Sequence, residues 1–100
     1  MKIYYVYILT NKNNTVLYIG ITSDIVRRCI EHRTKKFKGF TSRYNVDRLI
    51  YYEEFRYVRM AIAREKQLKV ITRQKKEILI TSFNPTRKEL FQNGMLIKPE

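Results

Sequence analysis

Tyr5-Val6-Tyr7, a gap of ten residues, and then Tyr18-Ile19-Gly20 form the stretch whose reading decides the fold. Ile3 to Thr10 reads as a strand, because Tyr, Val, Ile and Leu crowd together with no helical period. Asn11-Lys12-Asn13-Asn14 is a turn cluster: Asn tolerates left-handed backbone and bonds to its own main chain. Thr15 to Ile21 is a second strand, so residues 3–21 form a β-hairpin. With a four-residue loop between Thr10 and Thr15, Tyr7 lies opposite Tyr18 and Tyr5 opposite Gly20. Two phenols then share one face of the sheet, in a register that depends on loop length. Gly20 marks a position where another group can approach the backbone closely.

Outward from the hairpin, Thr22-Ser23-Asp24 supplies N-caps for a helix over about 24–33, with Ile25, Val26, Cys29 and Ile30 at helical spacing. Residues 34–46 read as a basic loop. Arg48 to Phe55 is a third strand. The helical period returns from Tyr57 to about Val70, with Val58, Ala61, Ile62, Glu65 and Leu68 as one stripe. Thr72 caps a further helix over 73–82, which Asn84-Pro85 ends, and Leu90 and Phe91 dock on the core. This gives an α/β (α+β) fold of order ββαβαα, a small three-stranded mixed sheet flanked by helices, as a single domain over 1–100.

The 100 residues carry 21 Lys and Arg against 9 Asp and Glu, a net charge of +12. Gly and Pro occupy five positions and 44% of residues are hydrophobic, which excludes disorder and low complexity. One cysteine, Cys29, excludes an internal disulfide framework. No apolar run reaches the ~18–20 residues of a membrane span, so the expectation is a cytoplasmic protein without a membrane partner. The charge is concentrated: residues 25–48 sum to +6 (eight basic, two acidic) and residues 57–76 to +6 (seven basic, one acidic). Such clustering points to phosphate, hence nucleic acid. Arg27, Lys35, Lys36, Lys38, Arg43, Lys66 and Lys69 are the candidate nucleic-acid-binding cations.

Three features suggest chemistry. Tyr18-Ile19-Gly20 ends a strand beside a second tyrosine. Arg28 and His32 lie four apart on one helix face. Glu65 sits inside an apolar stripe, where a carboxylate is costly unless paired or metal-bound. Taken singly, each has an ordinary reading as packing, solvated surface or salt bridge.

Together these residues resemble the GIY-YIG nuclease superfamily. Arg28 falls eight residues after the motif glycine, His32 four later, and Glu65 on a later helix. Gly39-Phe40-Thr41, Tyr51-Tyr52-Glu53 and Ala63 to Lys69 are similar to small stand-alone bacterial proteins related to the nuclease domain of excinuclease. The likeness covers roughly residues 3–90. It implies an endonuclease hydrolysing phosphodiester bonds in DNA, in repair or recombination, with one Mg²⁺ or Mn²⁺ held by Glu65. Tyr7, Tyr18, Arg28 and His32 are then the catalytic residues, with Gly20 and Asn84 in support. Tyr18 is the choice for general base. The first triplet here is Tyr-Val-Tyr, and Ile21 stands where some relatives carry a lysine that assists the tyrosine, which leaves His32 as proton acceptor. The alternative is a nucleic-acid-binding module, on DNA or RNA, with little or no catalysis. Monomer and homodimer both stay open.

Overall fold

The computed structural model describes residues 2–36 and 38–99. The hairpin forms as β1 (Tyr4–Thr10) and β2 (Leu17–Thr22). It is followed by α1 (Ile25–Arg33), a short α2 (Phe40–Arg43) and β3 (Arg48–Phe55). Two helices, α3 (Val58–Val70) and α4 (Arg73–Phe83), precede a terminal hairpin of β4 (Phe91–Gln92) and β5 (Met95–Leu96).

β1 is the central strand of a sheet ordered β2-β1-β3. Both pairings are antiparallel, so the sheet is not mixed as expected. The two outer strands do run in the same direction, but β1 separates them. The hairpin register also differs from expectation: Tyr7 pairs with Gly20 and Leu9 with Tyr18. The reason lies in Asn11. Its Oδ1 accepts from the backbone N–H groups of Thr15 (2.8 Å) and Val16 (3.2 Å), so those residues close the turn instead of joining the ladder. The loop lengthens by two residues, an even number, so Tyr7 and Tyr18 keep a common face.

The sheet buries both faces. On one, Tyr7, Leu9, Leu49 and Tyr52 pack with Ile25 and Cys29 of α1 and with Leu90 and Phe91. On the other, Val6, Ile8, Ile19, Ile50 and Tyr51 pack with Ala61, Leu68 and Ile80 of α3 and α4. The two basic segments therefore lie mainly on opposite sides of the sheet. The stripe of α3 is narrower than its sequence suggests, since Val58 and Ile62 are exposed.

A β-bulge between Ile8 and Leu9 on the β1–β3 ladder leaves Ile50 as an extra residue, and Asn84 Nδ2 donates to its carbonyl at 3.1 Å and to Lys88 O at 2.9 Å. The chain end is tied down by Glu89, which accepts from Leu49 N–H (2.7 Å), and by Leu90 N–H on Leu49 O (2.8 Å). Its hairpin turns at Asn93 and Gly94, both at positive φ, as a tight Asn-Gly turn requires.

Gly20 is a steric requirement. A Cβ there would overlap the hydroxyl and ring of Tyr7, whose side chain is fully buried. Gly20→Ala should cost ~1–3 kcal/mol in urea unfolding, and much less in a Tyr7→Leu background, where the ring is gone. Additive effects in that double-mutant cycle would contradict the close approach.

Candidate active site

α1 starts where Asp24 Oδ1 accepts from Arg27 N–H at 3.1 Å, and Asp24 N–H in turn donates to Thr22 Oγ1 at 3.0 Å. This cap sets the helix phase. Ile25 and Cys29 then face the core, while Arg28 and His32 lie together on the flank nearest the two tyrosines. Burial pushes the Cys29 thiol up to about 12, which leaves it an inert packing group.

His32 is the hub of the site. It is only 6% exposed, its Nε2 lies 3.3 Å from the Tyr7 hydroxyl, and its Nδ1 lies 3.0 Å from Thr41 Oγ1. Its ring centroid is 5.6 Å from that of Tyr18, and Tyr7 and Tyr18 stand 6.4 Å apart. Phenol and imidazole share one proton well when Nδ1–H donates to Thr41, which leaves the Nε2 lone pair to accept from Tyr7. Burial and the nearby Arg28 charge hold the His32 pKa below its ordinary value, opposed by Glu31 and Asp47. Burial, reinforced by Tyr18, pushes the Tyr7 pKa well up, opposed by the charge of Arg28 and a hydrogen bond from it. At neutral pH the pair is therefore a neutral imidazole and a protonated phenol.

Arg28 is anchored by Glu31, with Nε 3.3 Å from Oε1. Glu31 is a buried carboxylate surrounded by cations, since Arg27 (3.2 Å) and Lys36 (3.8 Å) also reach it. Thr22, Ser23, Asp24, Arg27, Arg28 and Glu31 line a polar cleft of about 170 Å³. Glu31 and Thr41 were not singled out from the sequence. Glu31 is one of two acids among eight bases in its segment, and that isolation was the available signal. Thr41 had none.

Tyr7, Tyr18, Gly20, Arg28 and His32 thus come together on one face of the sheet. Glu65 sits on α3, across the sheet from α1, half-buried, with its carboxylate 3.3 Å from Lys69 Nζ. Its direction follows from helix phase. Ala61 and Leu68 face the sheet, and Arg64 and Glu65 lie ~50° to either side of that line. Arg64 reaches Glu53 on β3 at 3.0 Å, so Glu65 leans toward the opposite edge, β2, the strand of Tyr18 and Gly20. Among the described residues no three His, Cys, Asp or Glu side chains gather into a metal-binding group. A hard cation that keeps most of its waters needs only one or two carboxylates, a demand that Glu65 alone can meet at this edge. Asn84 is buried at the end of α4, where its amide serves the Ile50 bulge and Lys88. Of the candidate surface cations, Lys35 Nζ donates to Asn45 Oδ1 (2.5 Å), Arg43 lies over the Tyr44 ring (5.9 Å), Lys38 lines a cleft beside them, and Lys66 is exposed on α3.

Comparison with known proteins gives a consistent picture. The family described as the GIY-YIG catalytic domain matches residues 3–78. A UPF0213 protein of Staphylococcus saprophyticus is 35% identical over 81 residues, covering 81% of this chain and 98% of that protein. One from Natronomonas pharaonis is 34% identical over 77 residues, covering 77% of this chain and 89% of the relative. The solution NMR structure of a UPF0213 protein from Bacillus halodurans aligns with a TM-score of 0.52 at 32% identity, over 80% of this chain and 84% of that one.

His32 is the one histidine in the chain, so its imidazole protons give a single, unambiguous NMR titration. The midpoint should fall below the ordinary ~6.5. A value at or above it would contradict a buried, neutral ring beside Arg28. Because the folded state favours the neutral ring, its contribution to stability is present above ~6.5 and is lost as pH falls through the lower folded value.

Proposed function

The chain belongs to the GIY-YIG catalytic-domain family, and we propose that it is an endonuclease hydrolysing phosphodiester bonds in DNA with one Mg²⁺ or Mn²⁺ ion. The observation that carries this reading is the buried, neutral His32 seated between the Tyr7 hydroxyl and Thr41, with Arg28 alongside. A module that only binds phosphate has no use for such an arrangement.

In this reading Arg28 clamps the non-bridging phosphate oxygens with its fixed fork of donors and offsets the charge that grows on them. Glu31 holds the guanidinium in place. Tyr18, the less buried of the two tyrosines, orients the attacking water. As that water bonds to phosphorus and the ester P–O bond breaks, its proton passes to Tyr7, which gives its own proton to His32 Nε2. The relay never needs a free tyrosinate, which burial of Tyr7 makes costly. His32 ends the step as imidazolium, Thr41 accepting from its Nδ1–H, and the departing oxygen takes a proton from solvent. Glu65 would hold the cation, which supplies positive charge at the phosphate when bound.

The ion pair of Glu65 with Lys69 favours one second reading, a nucleic-acid-binding module that does not cleave. One experiment decides between them. Supercoiled plasmid should be nicked in Mg²⁺ or Mn²⁺ and left intact in EDTA. Arg28→Ala and Glu65→Ala should each lower the nicking rate by ~10²–10³-fold while circular dichroism shows a folded chain. Salt-sensitive binding without nicking would establish the second reading. Equal nicking by wild type and both variants would refute the first.

A further inference from the structure

α2 is a single turn with two different sides. Its inner side is pinned by Thr41, 8% exposed, whose hydroxyl holds His32. Its outer side carries Phe40 and Tyr44, 49% and 48% exposed, with ring centroids 5.0 Å apart at 51°. The Arg43 guanidinium lies 5.9 Å from the Tyr44 centroid. Lys38, Gly39, Phe40, Ser42, Arg43 and Tyr44 line an open cleft of about 530 Å³. Gly39, at φ 144°, turns the chain into this helix in a conformation that side-chain-bearing residues rarely adopt.

Two half-exposed aromatic rings on a one-turn helix gain little from the core, and they lie in the segment that holds half of the chain's net charge. Exposed aromatics interleaved with cations are what an unpaired nucleotide requires: a π-face for the base and positive charge for its phosphate. A paired base is stacked within its duplex and offers no face to such a ring. We propose that the outer side of α2 is a stacking platform for an unpaired base, and that the substrate is single-stranded at the nucleotide beside the scissile phosphate. The placement next to the scissile phosphate follows from Thr41 and rests on the nuclease reading above. Phe40 and Tyr44 receive the base, while Lys38 and Arg43 meet the flanking phosphate.

The test measures anisotropy of a fluorescein-labelled oligonucleotide of about 12 nucleotides, single-stranded and as a blunt duplex, in EDTA at one salt concentration. Phe40→Ala and Tyr44→Ala should each weaken single-strand binding by ~10-fold and leave duplex binding unchanged. The chain has no tryptophan, so Tyr44→Trp should retain single-strand affinity and report contact by quenching of its sole indole. An unaltered His32 titration in each variant certifies that α2 still seats Thr41. Equal losses on single strand and duplex, or no loss on either, would overturn the platform; the second result would assign the patch to a protein partner. Binding in EDTA involves no cleavage, so the plasmid assay fails or succeeds separately. Nicking without discrimination by the rings refutes the platform alone, and discrimination without nicking refutes the nuclease alone.

Discussion

Everything at the site depends on the Tyr7 ring lying against Gly20. Tyr7 is on the central strand, and its neighbour across the ladder has no side chain, so the ring can lie down over β2 with its hydroxyl aimed at α1. Any larger residue at position 20 would occupy that space. The contact fixes where His32 must stand, and His32 in turn fixes α2 through Thr41. A strand, two helices and both tyrosines are thereby tied together by one steric vacancy and two hydrogen bonds. The arrangement is buried, which keeps water from competing for the bonds and keeps both groups neutral.

The electrostatics of α1 follow a related logic. Cations crowded for phosphate repel one another in the free protein, and the buried Glu31 offsets this by binding Arg27, Arg28 and Lys36. The same carboxylate restricts Arg28, so the guanidinium is held near its working position before substrate arrives. Arg64 and Glu53 play the parallel part across the sheet, holding α3 in the phase that leans Glu65 toward β2.

Much of the architecture was legible because it is written locally. The hairpin, α1 with its Asp24 cap, β3, and the two helices after it follow from periodicity and capping residues, and the observed bounds lie within one or two residues of expectation. The hairpin register was not legible, because it turns on the Asn11 side chain capturing two backbone donors. The four residues of α2 are too few to show a period, and their buried member is a threonine. The terminal hairpin did carry a signal in Asn93-Gly94, which strands of two residues made easy to pass over. At the site, the motif spacing brought Tyr7, Tyr18, Gly20, Arg28 and His32 to one place. Thr41 and Glu31 escaped because a hydroxyl in a basic loop and a lone acid among bases look like surface until burial is known. Asn84 has a visible architectural duty at the β3 bulge.

The central claim is that a neutral His32, hydrogen-bonded to Tyr7, receives the proton released in phosphodiester cleavage. The pH dependence of single-turnover cleavage of a short oligonucleotide substrate tests it most directly. The account predicts that log rate rises with unit slope at acid pH, breaks below ~6.5 at the midpoint of the His32 imidazole titration, and is level through neutrality. A rate that climbs through neutrality without a break, or whose break is unmoved when His32 is replaced by Gln, would contradict it.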